Sequence, residues 1–401
     1  MKIDIHSHID DVEADAWNAL IRSDNPFVEH RFLSLLESSH SVGAGTGWEP
    51  RHVVVRDGAR VVGAAPTYLR HDSYGEFIFD WGWAQAAQRA RIPYYPKVTC
   101  AVPFTPATGP RLLTANDSPK VRDLLCVALQ DLAKREQASS VHILFCRDDE
   151  AAHAASTGYQ RRASMQFHWR NAGWKDFDAF LQSLRHEERK QIRRERRRVA
   201  EAGVRIELRL ARDMDRTLLP QVFRLYTSTS DRKWGRPYLT EDFFHALPDV
   251  LGDAALFGLA FREEKLIAMT LSFEKRSQLY GRHWGACEEI PGLHFELCYY
   301  AHIERAISQR MVLFEAGAQG EHKLKRGFLP VQTHSAHEIF HPGLSAAVKR
   351  FIVDERVSVT AEQQELLAHS PFRGPSPEGV DDDAGENAMP KRPLVAGVDD
   401  L

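Results

Sequence analysis

The chain has 401 residues, of which 43% are hydrophobic and 27% charged, so it has enough apolar material for a sizeable core and for two domains. Its formal net charge of -3 gives no general attraction to nucleic acid or anionic membranes, and its five cysteines show neither a CxxC motif nor the Cys/His spacing of a zinc site. No apolar segment approaches the ~20 residues of a membrane helix, and the acidic, histidine-bearing N-terminus is unlike a signal peptide, so we expect a cytoplasmic protein.

The first ten residues alternate between apolar and polar positions and contain a His-x-His sequence. His6 and His8 in this setting are typical of the first strand of a metal-dependent amidohydrolase barrel, where two histidines bind the metal. Such a site needs further ligands on later strands, and the sequence shows neither a matching series nor eight strand–helix repeats. We therefore interpret this stretch as an edge strand with both imidazoles on one polar face, and we predict no metal site.

Helical and extended patterns alternate through the rest of the first half. Asp24-Asn-Pro is a turn and N-cap signal between two helical patterns, and Asp57-Gly58 is the turn of a predicted hairpin. The predicted elements are helices over 15–20 and 27–38, strands over 49–56 and 60–69, a helix over 117–136 and a strand over 140–146.

An aromatic-rich stretch lies between the hairpin and the helix that starts at residue 117. Tyr74, Glu76 and Trp81, with Tyr94 and Tyr95 further on, would suit a wall that binds a sugar-peptide or an amine acceptor. Packing into the core is the alternative interpretation, because aromatic side chains mostly serve that purpose.

A second series of similar order begins after Gly158. It comprises strand 165–171, helices 177–184 and 187–202, strand 204–210, helices 218–228 and 243–251, strands 254–262, 265–274 and 277–285, helix 295–310, strand 311–314, a polar turn, a helix and a strand ending at 337. Two such halves predict a mixed α/β (α+β) protein with domains at 1–157 and 158–357 and a cleft between them. From about residue 370 the composition is rich in Pro, Gly and acids, which predicts a disordered tail over 370–401.

Two stretches of the second half combine cations with other side chains. Arg185–Arg198 is locally basic on a predicted helix, although Glu187, Glu188 and Glu195 would also allow a solvated, salt-bridged face. The loop 230–239 contains Lys233 and Trp234, which are typical of a substrate gate, and a packed loop without a ligand is the alternative.

The densest cluster of ionisable residues follows the predicted strand 311–314. Gly317 and Gly320 allow a tight strand-to-helix turn whose backbone N–H groups are free to face an anion or a developing negative charge. The polar residues around this turn are Glu315, Gln319, Glu321, His322, Lys323 and Arg326. Ligands in open α/β sheets usually bind at such strand ends.

This cluster has the groups that acyl transfer to an amine requires. His322 suits the base that takes the amine proton, the turn amides with Lys323 suit the oxyanion, and Arg326 suits donor phosphates. Glu315 and Glu321 supply further candidate acid–base groups. The alternative is that these charges only cap and solvate the helix after the turn.

The helix predicted over 295–310 carries Glu296, Tyr300 and Glu304 at intervals of four residues, so the three share one face. They would suit an acceptor amine if this face lines a cleft. They would equally form a partly buried polar stripe that bonds to the neighbouring strand.

Four runs of sequence resemble one bacterial family, namely LYGRHWG (279–285), LHFELCYYAHIERAI (293–307), FEAGAQGEHKLKRGFLP (314–330) and THSAH (333–337). The family is that of Fem-like predicted N-acyltransferases, also labelled peptidoglycan biosynthesis/recognition proteins, with a GNAT-type fold, and the resemblance covers about residues 1–357. It implies tandem GNAT-like domains and transfer of an acyl or aminoacyl group from acyl-CoA or aminoacyl-tRNA to an amine, with no bound cofactor. In Fem-type enzymes a basic helix at the start of the second domain is where a tRNA-borne donor approaches, which implies a tRNA contact for Arg185–Arg198.

The sequence also departs from these relatives. Neither half shows the [RQ]xxGx[GA] pyrophosphate loop of acetyl-CoA enzymes, and no segment has the length and heptads of the helical arm found in many Fem-type transferases. The donor therefore stays open between acyl-CoA and aminoacyl-tRNA. A non-catalytic module that binds a peptide or glycan in the same cleft is the alternative function.

Overall fold

The computed structural model describes residues 1–233, 237–317, 320–374 and Pro377, with the backbone alone at 229–233 and 321. Trp234, Gln319 and most of the predicted tail lie outside the described residues, as do the side chains of Lys233 and Glu321. Within the predicted tail, Phe372 is buried and pairs with Leu184 through a β-bridge.

The strands of the described chain form two sheets. Their bounds are β1 Lys2–His6, β2 Trp48–Pro50, β3 His52–Asp57, β4 Arg60–Ala65, β5 Thr67–Arg70, β6 Lys97–Cys100, β7 Leu113–Thr114, β8 Ser140–Cys146, β9 Gln160–Arg170, β10 Val204–Leu210, β11 Ala255–Arg262, β12 Lys265–Lys275, β13 Gln278–Ala286, β14 Leu313–Glu315 and β15 Leu329–Ile339. A 4-stranded sheet has the order β1-β3-β4-β7, and an 11-stranded sheet has the order β10-β11-β12-β13-β14-β9-β15-β8-β6-β5-β2.

Helices cover both halves. The α-helices are α1 Ala14–Asn18, α2 His30–Ser38, α3 Trp81–Arg89, α4 Pro119–Arg135, α5 Asp148–Ser156, α6 Phe177–Ser183, α7 His186–Glu201, α8 Leu219–Lys233, α9 Glu241–Val250, α10 Leu293–Phe295, α11 Ala301–Ser308 and α12 Pro342–Ala368. A π-helical turn, Glu296–Tyr300, joins α10 to α11, and the 3₁₀ helices are Ile9–Asp11, Pro26–Val28, Ala115–Asp117, Ala211–Asp213, Arg216–Leu218 and Glu321–Arg326.

The predicted mixed α/β architecture is confirmed, and several elements agree closely with their predicted bounds. Strand 204–210 has the predicted limits, and β1 lies at the edge of its sheet as expected for the His-x-His strand. Within the described residues, no group of three or more His, Cys, Asp and Glu side chains is arranged to hold a metal ion.

The predicted hairpin forms, but each of its arms changes sheet partway along. β3 and β4 pair across the Asp57-Gly58 turn in the 4-stranded sheet, whereas β2 and β5 pair in the 11-stranded sheet. The break falls where Pro66 lacks a backbone N–H, and there the amide of Arg51 donates to the carbonyl of Thr67 at 2.7 Å. The hairpin therefore ties the two sheets together.

The larger sheet runs without interruption from one half of the sequence to the other. β15 pairs antiparallel with both β9 and β8, and β8 pairs in parallel with β6. Strands on both sides of residue 158 thus share one hydrogen-bonded sheet.

The end of a short parallel strand pairing positions the candidate site. β13 and β14 pair in parallel only from Gln278 to Tyr280, after which β14 ends and β13 continues to Ala286. α10, the π turn and α11 lead from β13 to β14, and the predicted helix over 295–310 is confirmed in this form. Its apolar face buries Leu297, Ile303 and Ile307, each of which contributes about 1.5–3 kcal/mol through burial.

Candidate functional site

The candidate site lies where the pairing of β13 with β14 ends. Gly317 follows β14 with a φ of 80°, and a Cβ built on it would lie 3.8 Å from the carbonyl oxygen of Gly281 on β13. Gly320 has a φ of 118° and leads into the 3₁₀ helix Glu321–Arg326, which we call the lysine helix. A Cβ at Gly320 would lie 2.5 Å from the His322 ring, which would have to move, and the positive φ itself favours glycine there.

Lys323 is the central side chain of the lysine helix. It is buried, with 1% of its surface exposed, and its Nζ donates to the carbonyl oxygen of Gly317 at 2.7 Å. Burial lowers the pKa of Lys323 to about 7, because transferring the ammonium out of water disfavours its charged form. The ammonium is thus held directly beneath the turn, in a state that exchanges its proton near neutral pH.

His322 lies on the outer side of the same helix. Its side chain is exposed, and its Nε2 lies 2.9 Å from the hydroxyl oxygen of Tyr299 on the π turn. Partial burial, followed by the positive charges of Arg326 and Lys323, lowers the pKa of His322. The imidazole is therefore neutral at pH 7 and able to accept a proton.

Arg326 is embedded in an ion pair. Its Nη2 donates to both carboxylate oxygens of Glu195 on α7 at 2.8 and 3.0 Å, and its Nε donates to the hydroxyl of Tyr300 at 2.9 Å. Its Nη1 donates to the carbonyl of His322 at 2.7 Å, and the guanidinium carbon lies 3.4 Å from the centroid of the Phe295 ring. All three guanidinium nitrogens therefore donate hydrogen bonds within the protein. Arg326 holds the lysine helix in place, whereas the sequence predicted that it would face donor phosphates.

Glu296 and Glu304 share one face with Tyr300, as predicted, and that face lies against α7. Arg196 reaches both carboxylates, with its Nη2 at 3.0 Å from Glu296 and 2.9 Å from Glu304. This geometry corresponds to the polar stripe that was the alternative to acceptor binding. The partner is a helix, α7, instead of the neighbouring strand.

Glu315 ends β14 on the side of the sheet that faces the first half. Its Oε2 accepts a hydrogen bond from the backbone N–H of Thr108 at 3.3 Å and lies 3.8 Å from Nε2 of His168. The carboxylate is buried, with 4% exposed. Glu315 therefore lies at the end of the pairing of β13 with β14, where it contacts a loop of the first half.

The aromatic stretch of the first half does not form one wall. Tyr74 packs against Tyr238 with ring centroids 4.8 Å apart, whereas Glu76 is 4% exposed. Glu76 accepts hydrogen bonds from Nε of Arg70 at 3.2 Å and from Nζ of Lys97 at 2.7 Å. Glu76 is therefore part of a buried ion cluster, separate from the lysine helix.

The basic helix has a different charge distribution from the one the sequence indicated. Glu195, predicted as part of a solvated salt-bridged face, points inward to Arg326 and is 8% exposed. The exposed cations of α7 are Lys190, Arg193, Arg194, Arg197 and Arg198, and its exposed acids are Glu187 and Glu201 near the two ends. The middle of the exposed face is therefore strongly positive.

Tyr299 and Arg282 are residues of this region that the sequence analysis did not name, and Glu195 was named only as part of a solvated, salt-bridged face. Glu195 and Tyr299 meet the lysine helix from segments about 130 and about 20 residues away in the chain, so local pattern carried no signal for them. Arg282 lies in the LYGRHWG run, which entered only through the family resemblance. Its position depends on the pairing of β13, which sequence periodicity does not specify.

A model of the FemAB-like family, described as peptidoglycan biosynthesis/recognition proteins, matches residues 8–374. The chain therefore belongs to this family, as its resemblance implied. No curated protein sequence matches the chain. Among the described residues, no helix combines the length and the apolar character needed to cross a bilayer.

Solved structures support the fold assignment. The crystal structure of FemX aligns with a TM-score of 0.53 and 13% identity, covering 87% of this chain and 100% of that one. The C-terminal domain of an Agrobacterium fabrum protein assigned as a lysylphosphatidylglycerol synthetase also aligns at 0.53, with 9% identity over 85% and 95% of the two chains. A tandem GNAT protein from the clavulanic acid biosynthesis pathway aligns at 0.43, with 15% identity over 84% and 98%. The two alignments at 0.53 show that the chain shares its overall fold with FemX and with the synthetase domain, as the predicted family membership implied.

Proposed function

We propose that this member of the FemAB-like family is an N-acyltransferase that moves an aminoacyl group from aminoacyl-tRNA to an amine acceptor. The observation that carries the proposal is the arrangement where the pairing of β13 with β14 ends. There the buried Lys323 donates to the carbonyl oxygen of Gly317, and the exposed imidazole of His322 lies against Gly320. The family description supports an acceptor from peptidoglycan biosynthesis.

The exposed face of α7 favours a tRNA-borne donor over acyl-CoA. Five cations are exposed on this helix, and the acid that would neutralise its centre, Glu195, points inward. A row of exposed Arg and Lys side chains is suited to a phosphate backbone, since each contact releases counterions. α7 is linked through Arg326 to the backbone of His322, so a nucleic acid bound there would lie beside the proposed reaction centre.

The proposed chemistry is direct attack by the acceptor amine. The nitrogen lone pair forms a bond to the acyl carbonyl carbon, and His322 takes the proton that the nitrogen loses. The carbonyl oxygen becomes an oxyanion, which the turn amides and the Lys323 ammonium stabilise. Collapse of the tetrahedral intermediate breaks the ester bond, and the proton held by His322 passes to the leaving oxygen of the tRNA, which becomes a hydroxyl.

Mass spectrometry of the acyl acceptor tests this function. Purified protein is incubated with charged tRNA or with acyl-CoA and a panel of amine acceptors, and we expect acylated product with charged tRNA. The variant Lys323→Met should remove product formation, and Lys325→Met, an exposed neighbour, should keep it. Product formation that depends on acyl-CoA and not on charged tRNA would reject aminoacyl-tRNA as the donor.

Equilibrium measurements separate the enzyme from a binding module. A ligand that stabilises the protein against heat but is never acylated, with any donor, would indicate the peptide- or glycan-binding alternative. Undiminished product formation by a double variant Lys323→Met and His322→Gln would reject the reaction centre while leaving the reaction class intact.

A further inference from the structure

The last helix, α12, exposes apolar side chains on the face that is turned away from the rest of the protein. All 27 residues of α12 are described, and every residue from Val353 to Ala368 is at least partly exposed. The exposed fractions of Val353 and Val357 are 55% and 68%. The apolar residues on the inner face are Leu344, Val348 and Ile352. Helices in proteins are stabilised mainly by packing an apolar face, so a helix with apolar residues on two faces has a second face to cover.

The outer face of α12 has a symmetric spacing. Counted from Val357 toward either end, its positions follow at intervals of four, three and four residues, which places them in one row along the helix. A period of about 11 residues is close to three helical turns, so the row stays straight. This row, which we call the α12 stripe, consists of exposed residues, namely Ala346, Arg350, Val353, Val357, Ala361, Gln364 and Ala368. It is apolar apart from Arg350 and Gln364.

A second copy of α12, running in the antiparallel direction, matches this stripe. If a two-fold axis passes through Val357, that residue meets its own copy, and Val353 meets Ala361 of the other copy. Arg350 then lies opposite Gln364. Interfaces with two-fold symmetry use the same patch on both subunits, so the patch must be complementary to itself. A valine facing an alanine also lets the two helices interdigitate, so the shape of the stripe favours a second copy as its partner.

The charges of α12 favour the same arrangement. Arg350 lies in the first half of the helix, and Glu365, which follows Gln364, lies in the second half. Both side chains are exposed, and within the described part of the chain neither of them forms an ion pair. The antiparallel arrangement brings Arg350 of each copy beside Glu365 of the other, whereas a parallel arrangement would bring the two Arg350 side chains together. Complementary charges of this kind fix the register of an interface.

We propose that two copies of this chain associate through the α12 stripe, with the two helices antiparallel and Val357 of each copy on the two-fold axis. The stripe shares no residue with the candidate site, so the association does not depend on the proposed function. One helix from each copy makes a small interface, and small interfaces are typically weak. We therefore expect a reversible dimer with a dissociation constant of about 1–100 µM.

Sedimentation velocity of the full chain at a series of concentrations tests the association. Wild type should change from monomer to dimer across the micromolar range. Val357→Glu brings two carboxylates together at the axis and should raise the dissociation constant about ten-fold or more, because facing like charges oppose association. Its melting temperature at low concentration should stay close to wild type, since this side chain is exposed. The matched control is Val127→Glu, which changes a valine on α4 that is 44% exposed and should keep the wild-type dissociation constant.

Exchange of the two charges tests the direction of the helices. Arg350→Glu and Glu365→Arg, made singly, each place like charges side by side in the antiparallel arrangement. Each should raise the dissociation constant about five-fold or more. The double variant restores both ion pairs with their positions exchanged, and its dissociation constant should return to within about two-fold of wild type.

A disulfide bond locates the axis. The background variant Cys287→Ser removes the exposed cysteine of the described chain. In this background, Val357→Cys should form a disulfide-linked dimer on mild oxidation, because the two introduced sulfurs face each other at the axis. Val353→Cys, whose position faces Ala361 of the other copy, should cross-link far more slowly.

A wild type that stays monomeric up to about 500 µM overturns the proposal, and it would indicate that another molecule or another segment of the chain covers the stripe. Equal dissociation constants of Val357→Glu and Val127→Glu also overturn it. So does a double charge variant that associates no better than the single variants, or a Val353→Cys dimer that forms as fast as the Val357→Cys dimer. None of these measurements uses a donor or an acceptor, so their outcome is independent of whether the protein is a transferase.

Discussion

The carboxylate of Glu195 accepts two hydrogen bonds from Nη2 of Arg326, at 2.8 and 3.0 Å, although the two residues lie about 130 positions apart. Both are nearly buried, at 8% and 3% exposure. The pair joins α7, which carries the exposed cations, to the helix that carries His322 and Lys323.

Removing the acid of this pair should destabilise the protein. We expect Glu195→Ala to lower the free energy of unfolding by about 3–5 kcal/mol, because it leaves the buried guanidinium without its counterion. Urea denaturation followed by circular dichroism measures the change. Arg197→Gln, on the exposed face of the same helix, should alter the value by no more than about 0.5 kcal/mol, and an equally small effect of Glu195→Ala would contradict the structural role.

Lys323 should make stability depend on pH. Its folded-state pKa is about 7, below the ~10.4 of an unfolded lysine, so between these values the unfolded chain binds more protons. The free energy of unfolding therefore rises with pH across this window, and the burial penalty is present in full below about pH 7. Lys323→Met lacks that penalty, and we expect it to exceed wild type in stability by on the order of 3 kcal/mol near pH 6.

That advantage of Lys323→Met should shrink as the pH rises from about 7 toward ~10.4 and be lost above that value, where the wild-type lysine is neutral in both states. Urea titrations at several pH values measure the trend. Lys325 is an exposed neighbour, and the free energy of unfolding of Lys325→Met should change with pH in the same way as that of wild type. A constant difference between wild type and Lys323→Met would show that the lysine titrates normally.

His322 should affect turnover without affecting stability. Its ring is exposed and its partner is the hydroxyl of Tyr299, so His322→Gln removes little packing. If it is the base, kcat should fall by about 10²–10⁴, with a melting temperature close to wild type. His245→Gln, an exposed histidine on α9, serves as the matched control, and wild-type kcat in His322→Gln would remove this residue from the mechanism.

The exposed face of α7 should determine the salt dependence of tRNA binding. Replacing Arg194, Arg197 and Arg198 with Gln should weaken binding and reduce the slope of log K against log salt by about 1 for each phosphate that the helix no longer neutralises. Fluorescence anisotropy with labelled tRNA at several salt concentrations measures both quantities. The control triple variant replaces the exposed Arg276, Lys349 and Arg350, and an identical slope in the two variants would argue against α7 as the binding face.

Glu76 should behave as a structural residue. It accepts hydrogen bonds from Arg70 and Lys97 in a buried cluster, and burial raises its pKa. We expect Glu76→Ala to cost about 3–5 kcal/mol in the free energy of unfolding, since two buried cations lose a counterion. If thermal denaturation shows no change and acceptor KM rises instead, the prediction from sequence that Glu76 binds the acceptor would be supported.

Local pattern was sufficient for many elements of the fold. The alternating residues of Val204–Leu210 predicted a strand with the observed bounds, because alternation of side chains is a property of the segment itself. The helix from Leu293 to Ser308 was likewise predicted from apolar spacing, although its π-helical turn was not. Apolar spacing did not predict helix α12, Pro342–Ala368, because most of its surface is exposed and only Leu344, Val348 and Ile352 are buried.

The candidate site was predictable only in part. The turn glycines and Lys323 lie close together in the chain, and the sequence alone identified them as a group. The burial of Glu195 and the position of Arg282 were missed because they depend on contacts and strand pairing between distant segments. The sequence of a basic helix also does not show which of its acidic side chains is buried. For Glu195, burial depends on its ion pair with Arg326, which lies far away in the chain.

The continuous strand pairing from β14 through β9 and β15 to β8 limits how far the two halves of the chain can separate. Moving one half away from the other would break the backbone hydrogen bonds between β15 and β8, each of which is worth about 0.5–1.5 kcal/mol. In the proposed reaction, entry and release of the reactants would therefore depend on movements of side chains and connecting segments, on a scaffold assembled before either reactant arrives.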